Sequence, residues 1–321
     1  MVVITGGAGF IGSGFVRKCN DEGMTDILIV DHLRDGNKWK NLIGKQYRDI
    51  VHQDVFREKF LSGEYDGSIE AIVHLGACSA TTERNADYLL DNNYRYSVGL
   101  ASAAHEKGIR FIYASSAATY GLGEQGYSDS LCKSLRPLNM YGYSKLLFDT
   151  WVLRNNLQNE FIGIRYFNVF GPNEYHKNNM ASMILKAFRQ VEEKGKISLF
   201  KSNSPEYADG NQMRDFVYIK DVCDIMWQML QNKNISGIYN LGTGKARTWN
   251  DLAAAVFTAM NRDEIIEYIE MPDSISSQYQ NFTEADLAHL QNSGLEIKFR
   301  TLEESIEDYV ANYLMQGESY W

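Results

Sequence analysis

The stretch Val3-Ile4-Thr5-Gly6-Gly7-Ala8-Gly9-Phe10-Ile11-Gly12 decides the fold. It opens with a β-branched run that reads as a buried strand, passes through glycines at 6, 9 and 12, and enters a helical pattern that runs to about residue 22. Strand, glycine turn and helix in that order make a phosphate-binding unit. Gly6 permits the tight turn, Gly9 lets the backbone approach a pyrophosphate, and Gly12 lets helix and strand pack closely. Free N–H groups and the dipole at the helix start favour phosphate oxygens. A glycine triplet alone is a weak signal. Its place after a strand, with Asp31 closing the next one, points to a dinucleotide.

Working outward, Ile27–Val30, Ala71–His74 and residues 111–114 and 161–165 are further short apolar runs separated by helical stretches. Such runs predict a parallel sheet covered by helices on both faces. Beyond about residue 170 the segments become longer and more polar, and 201–212 reads as a surface loop. Residues 216–219 and Gly237–Leu241 read as strands returning to a sheet, and 301–314 as a helix. The expected fold is α/β, a Rossmann-type doubly wound parallel sheet with a smaller α/β substrate-binding domain. The nucleotide domain would take residues 1–169 plus about 214–243. The substrate domain would take about 170–213 plus 244–321.

Composition narrows the function. A net charge of −9 over 321 residues disfavours a nucleic-acid surface. The four cysteines form no metal knuckle or redox pair, and the six histidines do not cluster, so no metal is expected. No run of about 18 apolar residues suggests a membrane span, and no leader pattern precedes the first strand, which predicts a cytoplasmic protein. His74, at a strand end, reads as a packed histidine rather than a ligand.

The reactive groups lie further along. Tyr141-Gly142-Tyr143-Ser144-Lys145 puts a phenol and an amine on one face of a helix, four residues apart. A free phenol titrates near 10. A nearby ammonium and a cationic nicotinamide would both favour the phenolate, so Tyr141 can exchange a hydroxyl proton while hydride moves. Ser116, after the strand at 111–114, can hydrogen-bond the reacting oxygen. Asp31 suits an adenosine ribose and so NAD, whereas Arg34 and Lys38 suit a 2′-phosphate and so NADP; the residues lean toward NADP with NAD open.

Together these features resemble the extended short-chain dehydrogenase/reductase superfamily. The resemblance spans the chain and includes Arg165-Tyr166-Phe167-Asn168-Val169-Phe170-Gly171-Pro172, Arg214-Asp215-Phe216-Val217-Tyr218 and Tyr239-Asn240-Leu241-Gly242-Thr243-Gly244. Narrower motifs are Gly76-Ala77-Cys78-Ser79-Ala80-Thr81-Thr82-Glu83, Asp91-Asn92-Asn93-Tyr94 and Gly171-Pro172-Asn173-Glu174-Tyr175-His176-Lys177 with Met180-Ala181-Ser182. They are similar to the nucleotide-sugar epimerases that invert C6 of ADP-heptose for lipopolysaccharide core synthesis.

That resemblance implies oxidation of C6 by bound NADP to a 6-keto sugar, then reduction on the other face, with Tyr141 and Lys177 as the two acid/base groups. It implies cofactor contacts at Phe10, Ile11, Asp31, His32, Lys38, Gln53, Leu75, Gly76, Ala77, Cys78, Ser79, Asn92, Lys145, Val169 and Lys177. Substrate contacts fall on Asn168, Asn179, Lys186, Phe200, Lys201, Ser202, Asn203, Arg214 and Tyr279. It further implies a homo-oligomer, a pentamer. Gln53 replaces a family lysine, His32 an asparagine, Asn179 a serine and Lys186 a histidine, and the loop at 204–213 is longer than the pattern. Two other functions compete. One is another nucleotide-sugar enzyme of the superfamily: a 4-epimerase needs no Lys177 equivalent, and a 4,6-dehydratase usually carries an Asp-Glu pair just after the Ser strand, which Ala118-Thr119-Tyr120-Gly121 lacks. The other is a non-catalytic dinucleotide sensor, which would not need Ser116, Tyr141 and Lys145 together.

Overall fold

The computed structural model describes residues 1–130, 132–272, 276 and 279–321. Seven strands form one parallel sheet: β1 (Val2–Thr5), β2 (Ile27–Val30), β3 (Asp49–Val51), β4 (Ala71–His74), β5 (Arg110–Ser116), β6 (Ile162–Tyr166) and, later in the chain, β10 (Gly237–Leu241). Their order is β10-β6-β5-β4-β1-β2-β3. The chain winds outward from β1 in one direction through β2 and β3, then returns to its other side with β4. That reversal between β1 and β4 is the switch point where an open α/β sheet leaves a crevice at its carboxyl ends. β1, β2 and β4 are buried at every residue, as expected for parallel strands covered on both faces.

The covering helices include α1 (Phe10–Asp21), α2 (Gln53–Leu61), the short α3 (Ala86–Leu89), α4 (Tyr96–Glu106) and α5 (Met140–Arg154). The expected helix at 11–22 and the strands at 111–114 and 161–165 therefore lie within one or two residues of α1, β5 and β6. β3 escaped the sequence reading because it is three residues long and exposed or half-buried throughout, so no apolar run marks it.

The later chain builds two small sheets. β7 (Asn168–Phe170), β9 (Met213–Tyr218) and β11 (Ala246–Thr248) form one, and β8 (Ile197–Phe200) pairs in parallel with β12 (Ile266–Ile269) in the other. Of the two segments expected to return to a sheet, Gly237–Leu241 joins the large one, whereas the strand around 216–219 pairs with β7 outside it. α6 (Met183–Lys194), α7 (Ile219–Gln231), α8 (Trp249–Ala259), α9 (Ala288–Gln291) and α10 (Leu302–Tyr309) complete the fold. α7 packs along α1, bringing Cys223 and Gly14 together. The expected helix over 301–314 is α10 followed by a π turn at Val310–Leu314. Residues 201–212 contain no strand or helix, as read. No helix among the described residues is long and apolar enough to cross a membrane.

Candidate active site

The glycine turn is built as the sequence predicts. Gly6 has φ +66°, a left-handed conformation that a side chain would strain. A Cβ on Gly12 would stand 2.1 Å from the Gly6 carbonyl oxygen, so the helix can approach the turn only with glycine there. α1 begins at Phe10 after an extended Gly9, and no side chain caps it. Its first N–H groups are left for a ligand. A cavity of about 260 Å³ lies over this turn. Gly6, Gly9, Phe10, Ile11, Gly12, Asp31, His32, Lys38, Gln53, Leu75, Gly76, Ala77, Ser79, Asn92 and Lys177 all line it. A narrow cradle of bare backbone with an acid at its far end fits a dinucleotide.

Asp31 is held tightly. One carboxylate oxygen accepts from the Ala8 N–H at 2.9 Å; the other accepts from the His32 N–H at 2.7 Å and from Lys38 Nζ at 2.5 Å. His32 faces Gln53 across 3.3 Å. His176, not singled out by the sequence reading, also lines the cavity and meets Asn41 Nδ2 at 3.2 Å. Burial, with Lys38 and Lys177 adding to it, lowers the His176 imidazole to about 4, so it stays neutral beside the two lysines.

A larger cavity of about 680 Å³ adjoins the first, sharing Phe10, Ile11, Leu75, Ala77, Ser79, Ala114 and Lys177. It holds Ser116, Tyr141, Lys145, Asn168, Val169, Lys177, Lys186, Phe200 and Tyr279. Local sequence explains the placement of its reactive groups. Asn139 caps α5 by accepting from the Gly142 N–H at 2.9 Å, which fixes where the helix starts and so which face carries Tyr141 and Lys145. Ser116 ends β5, and its hydroxyl bonds the Tyr141 phenol while accepting from the Ala118 N–H at 3.1 Å. Lys145 Nζ donates to the Ala114 carbonyl at 2.8 Å.

The electrostatics differ from the simple sequence expectation. Burial raises the Tyr141 phenol above its ordinary value, the Ser116 hydrogen bond opposing it. The Lys145 amine is directed at a strand carbonyl, and burial draws it down to about 8 against the pull of Asp149. In the protein alone, the phenol is therefore not acidified by its amine neighbour. Lys177 is also displaced from its ordinary range. Burial lowers its amine, Glu174 opposes that, Lys186 adds to it, and the nitrogen sits 5.2 Å over the Phe10 ring.

The loop that carries Lys177 is stapled from inside. The Glu174 carboxylate is fully buried and accepts from Gly171 N (3.3 Å), Ser182 N (2.5 Å) and Ser182 Oγ (2.7 Å), tying the loop's start to the cap of α6. Asn93, in the π turn Leu90–Arg95, is a second positioning residue that the sequence reading passed over in favour of Asn92. Its amide bonds Cys78 N at 2.8 Å, Cys78 O at 3.0 Å and Ser144 Oγ at 3.1 Å, locking the loop after β4 to α5 beside Lys145. A π turn is a frequent mark of functional helices, but its extra residue leaves no periodic trace in the sequence.

Several predicted positions are not on the described walls of these two cavities. The Cys78 backbone serves Asn93, Lys201 pairs with Glu270, Ser202 N donates to Asp209, and Asn203 Nδ2 donates to the Ser276 carbonyl. Asn179 is exposed and contributes its carbonyl to Lys186. Arg214 lies buried between Trp249 and Tyr279, its guanidinium carbon 5.5 and 5.1 Å from the two ring centres. Trp249, also unread in the sequence, lines the larger cavity and donates to the Tyr279 hydroxyl at 2.8 Å. His74 is a packed residue, as expected. It meets Thr5 Oγ1 at 2.7 Å and Ser97 Oγ at 2.8 Å, and burial lowers it to about 3. Among the described residues no group of three or more histidines, cysteines and acids could hold a metal.

The family described as NAD dependent epimerase/dehydratase matches residues 2–242. An ADP-L-glycero-D-manno-heptose-6-epimerase from Nitratidesulfovibrio vulgaris is 51% identical over the full length of both chains. One from Fusobacterium nucleatum is 48% identical, again over the full length of both. The crystal structure of the Helicobacter pylori ADP-L-glycero-D-manno-heptose-6-epimerase superimposes with a TM-score of 0.82 at 29% identity, covering 97% of this chain and 95% of that one. With its glycine cradle, its Ser-Tyr-Lys set and these full-length relatives, the chain belongs to the NAD dependent epimerase/dehydratase family, among the ADP-L-glycero-D-manno-heptose-6-epimerases.

Proposed function

We propose that the protein inverts C6 of the heptose in ADP-D-glycero-D-manno-heptose, giving the L-glycero epimer for lipopolysaccharide core heptose, through a transient 6-keto sugar. The observation that carries this is the presence of two proton-exchanging groups, Tyr141 and the half-buried Lys177, in one cavity that adjoins the glycine cradle. Two positioned proton-transfer groups in one cavity can serve the two stereochemical courses of reduction, one for each face of the ketone.

Residues 1–169 plus about 214–243 would hold the dinucleotide, and about 170–213 plus 244–321 the sugar. Hydride acceptance from C6 and its return are the chemistry that a bound dinucleotide would supply. Everything else falls to side chains. One of Tyr141 and Lys177 accepts the C6 hydroxyl proton as the ketone forms, and the other donates one as the opposite alcohol forms. Ser116 orients the phenol and the reacting oxygen. Lys145, which donates to the Ala114 carbonyl within β5, would hold the nicotinamide ribose. Lys186, Asn168, Phe200 and Tyr279 shape the sugar end. Incubation with the D-glycero substrate followed by stereochemical analysis at C6 tests the reading. Unchanged configuration at C6, with inversion found at C4 of another nucleotide sugar, would replace it.

We further infer NADP as the preferred dinucleotide. Asp31 already accepts three hydrogen bonds, whereas the Lys38 ammonium, 22% exposed at the cavity wall and donating to Asp31 and the His32 carbonyl, keeps its third proton for a 2′-phosphate. Lys38→Ala is expected to weaken NADP roughly tenfold and NAD far less, since a charge-assisted phosphate bond contributes about 1.5 kcal/mol or more. Equal losses for the two dinucleotides, measured by titration calorimetry, would remove Lys38 as the basis of the preference. Self-association, as a homo-oligomer, is proposed alongside, to be checked by light scattering.

A further inference from the structure

Residues 318–321 lie folded against the outside of the loop that carries Lys177. Asn173, fully buried with φ +79°, presents its side-chain amide to the Trp321 backbone. Its oxygen accepts from Trp321 N at 2.9 Å, and its nitrogen donates to Trp321 O at 3.1 Å. The side chain thus takes the place of a peptide group in a two-point pairing. The same nitrogen donates to Ser13 Oγ at 3.1 Å, on the helix that opens the dinucleotide cradle. Tyr175 OH donates to the Ser319 carbonyl at 2.8 Å, its ring meets that of Tyr320 edge-on at 5.2 Å, and Arg189 on α6 pairs with Glu318 at 2.5 Å. Lys45 Nζ donates to Trp321 O at 2.5 Å from the far side. The Trp321 ring fills the space over Gly14, where a Cβ would come within 3.2 Å of it.

Seen from Lys177, these contacts form the outer half of a clamp whose inner half is Glu174. The loop's backbone has little regular support of its own. Asn173 and Asn178 both take positive φ, and the helical turn Tyr175–Met180 is kinked at Asn178. Without the 318–321 contacts the loop would keep Glu174, the Asn173–Ser13 bond, the His176–Asn41 contact and the Lys186–Asn179 bond, but its outer side would be free to rock and admit water to the amine. With Asn173 and Tyr175 tied to 318–321, it is fixed to α1, so Lys177 keeps its seat over Phe10.

We propose that residues 318–321 are a positioning clasp: through Asn173 and Tyr175 they hold the Lys177 loop against the dinucleotide helix and keep the Lys177 amine desolvated. This rests on the acid/base reading of Lys177. The groups around that amine are Glu174 on its own loop and Lys186 on α6, with His176 and Lys38 toward the nucleotide. None lies within 318–321, so loosening the clasp acts on Lys177 through water and geometry rather than through a lost charge.

The test compares Trp321→Ala, Asn173→Gly and Tyr175→Phe with the intact protein. Glycine keeps the positive φ of Asn173 while removing its amide, and phenylalanine keeps the Tyr175 ring while removing the hydroxyl that bonds Ser319. Labelling of the Lys177 amine by an amine-reactive reagent, resolved by mass spectrometry across pH, needs no substrate. In the variants labelling is expected to accelerate and its titration to move up toward the ordinary lysine range. Epimerisation is expected to fall roughly ten- to a hundredfold in kcat, with KM nearly unchanged, as for a small misplacement of a reacting group. Unaltered labelling and kcat in all three variants would overturn the clasp. A Lys177→Met protein with normal turnover would instead overturn the acid/base reading, while the labelling result still judges the clasp.

Discussion

Tyr141→Phe is expected to lower epimerisation by roughly a hundredfold to ten-thousandfold, the usual contribution of a positioned proton-transfer group. The effect should fall on kcat and leave the fold intact. The phenol's bonding partner is Ser116, whose oxygen also accepts from the Ala118 N–H, so the change leaves no orphaned polar group behind. The ring stays and fills the same space. The same variant should bind the dinucleotide as the parent does, because the cradle belongs to α1 and the loop after β4. Stopped-flow measurement of turnover beside dinucleotide binding and a thermal melt would check all three. Turnover at the parental rate would remove Tyr141 from the reaction.

The second large loss is expected for Lys177→Met, of similar size. Methionine retains the aliphatic length and suits a seat against Phe10. It also removes an amine that burial already disfavours as a cation, so melting should hold or rise slightly. A pH signature accompanies the loss. If Tyr141 and Lys177 share one proton in the active protein, then the doubly protonated and the doubly deprotonated forms are both inactive, and the rate traces a bell. Burial lowers Lys177 and raises Tyr141, so the acid limb belongs to the amine and the alkaline limb to the phenol. Lowering the amine widens the active window toward neutral pH. In Lys177→Met the acid limb should vanish from the residual rate, and in the clasp variants it should move to higher pH. An acid limb that persists unchanged in Lys177→Met would assign it to another group.

The dinucleotide cradle was legible because its rules act over a few neighbours. Gly6, Gly9 and Gly12 are demanded by turn geometry and helix–strand contact within a dozen residues, and the buried strands β1, β2 and β4 announce themselves as apolar runs. Tyr141 and Lys145 share a face by helical period alone, and Asn139, a cap residue, marks where that helix begins. Lys177 could be named only through family resemblance. Nothing in Tyr175-His176-Lys177 says that its amine is buried, since that depends on Phe10, more than 160 residues earlier. The phenol's electrostatics were misjudged for a related reason. Spacing placed Lys145 beside Tyr141, but it could not reveal that the amine is aimed at the Ala114 carbonyl across the neighbouring strand.

Residues 201–203 illustrate the opposite outcome. Their side chains or backbone serve Glu270, Asp209 and Ser276, partners that no local pattern could announce. By itself, then, the sequence determined the strand–turn–helix cradle, the parallel sheet and the face of α5 that carries the phenol, because each follows from backbone sterics and apolar periodicity over short spans. Tertiary structure alone decided which amines are desolvated, that Arg214 lies between Trp249 and Tyr279, and that residues 318–321 close over the Lys177 loop. Those outcomes depend on pairing segments far apart in the chain, where many partners satisfy the same local pattern and only the packing of the whole chain chooses among them.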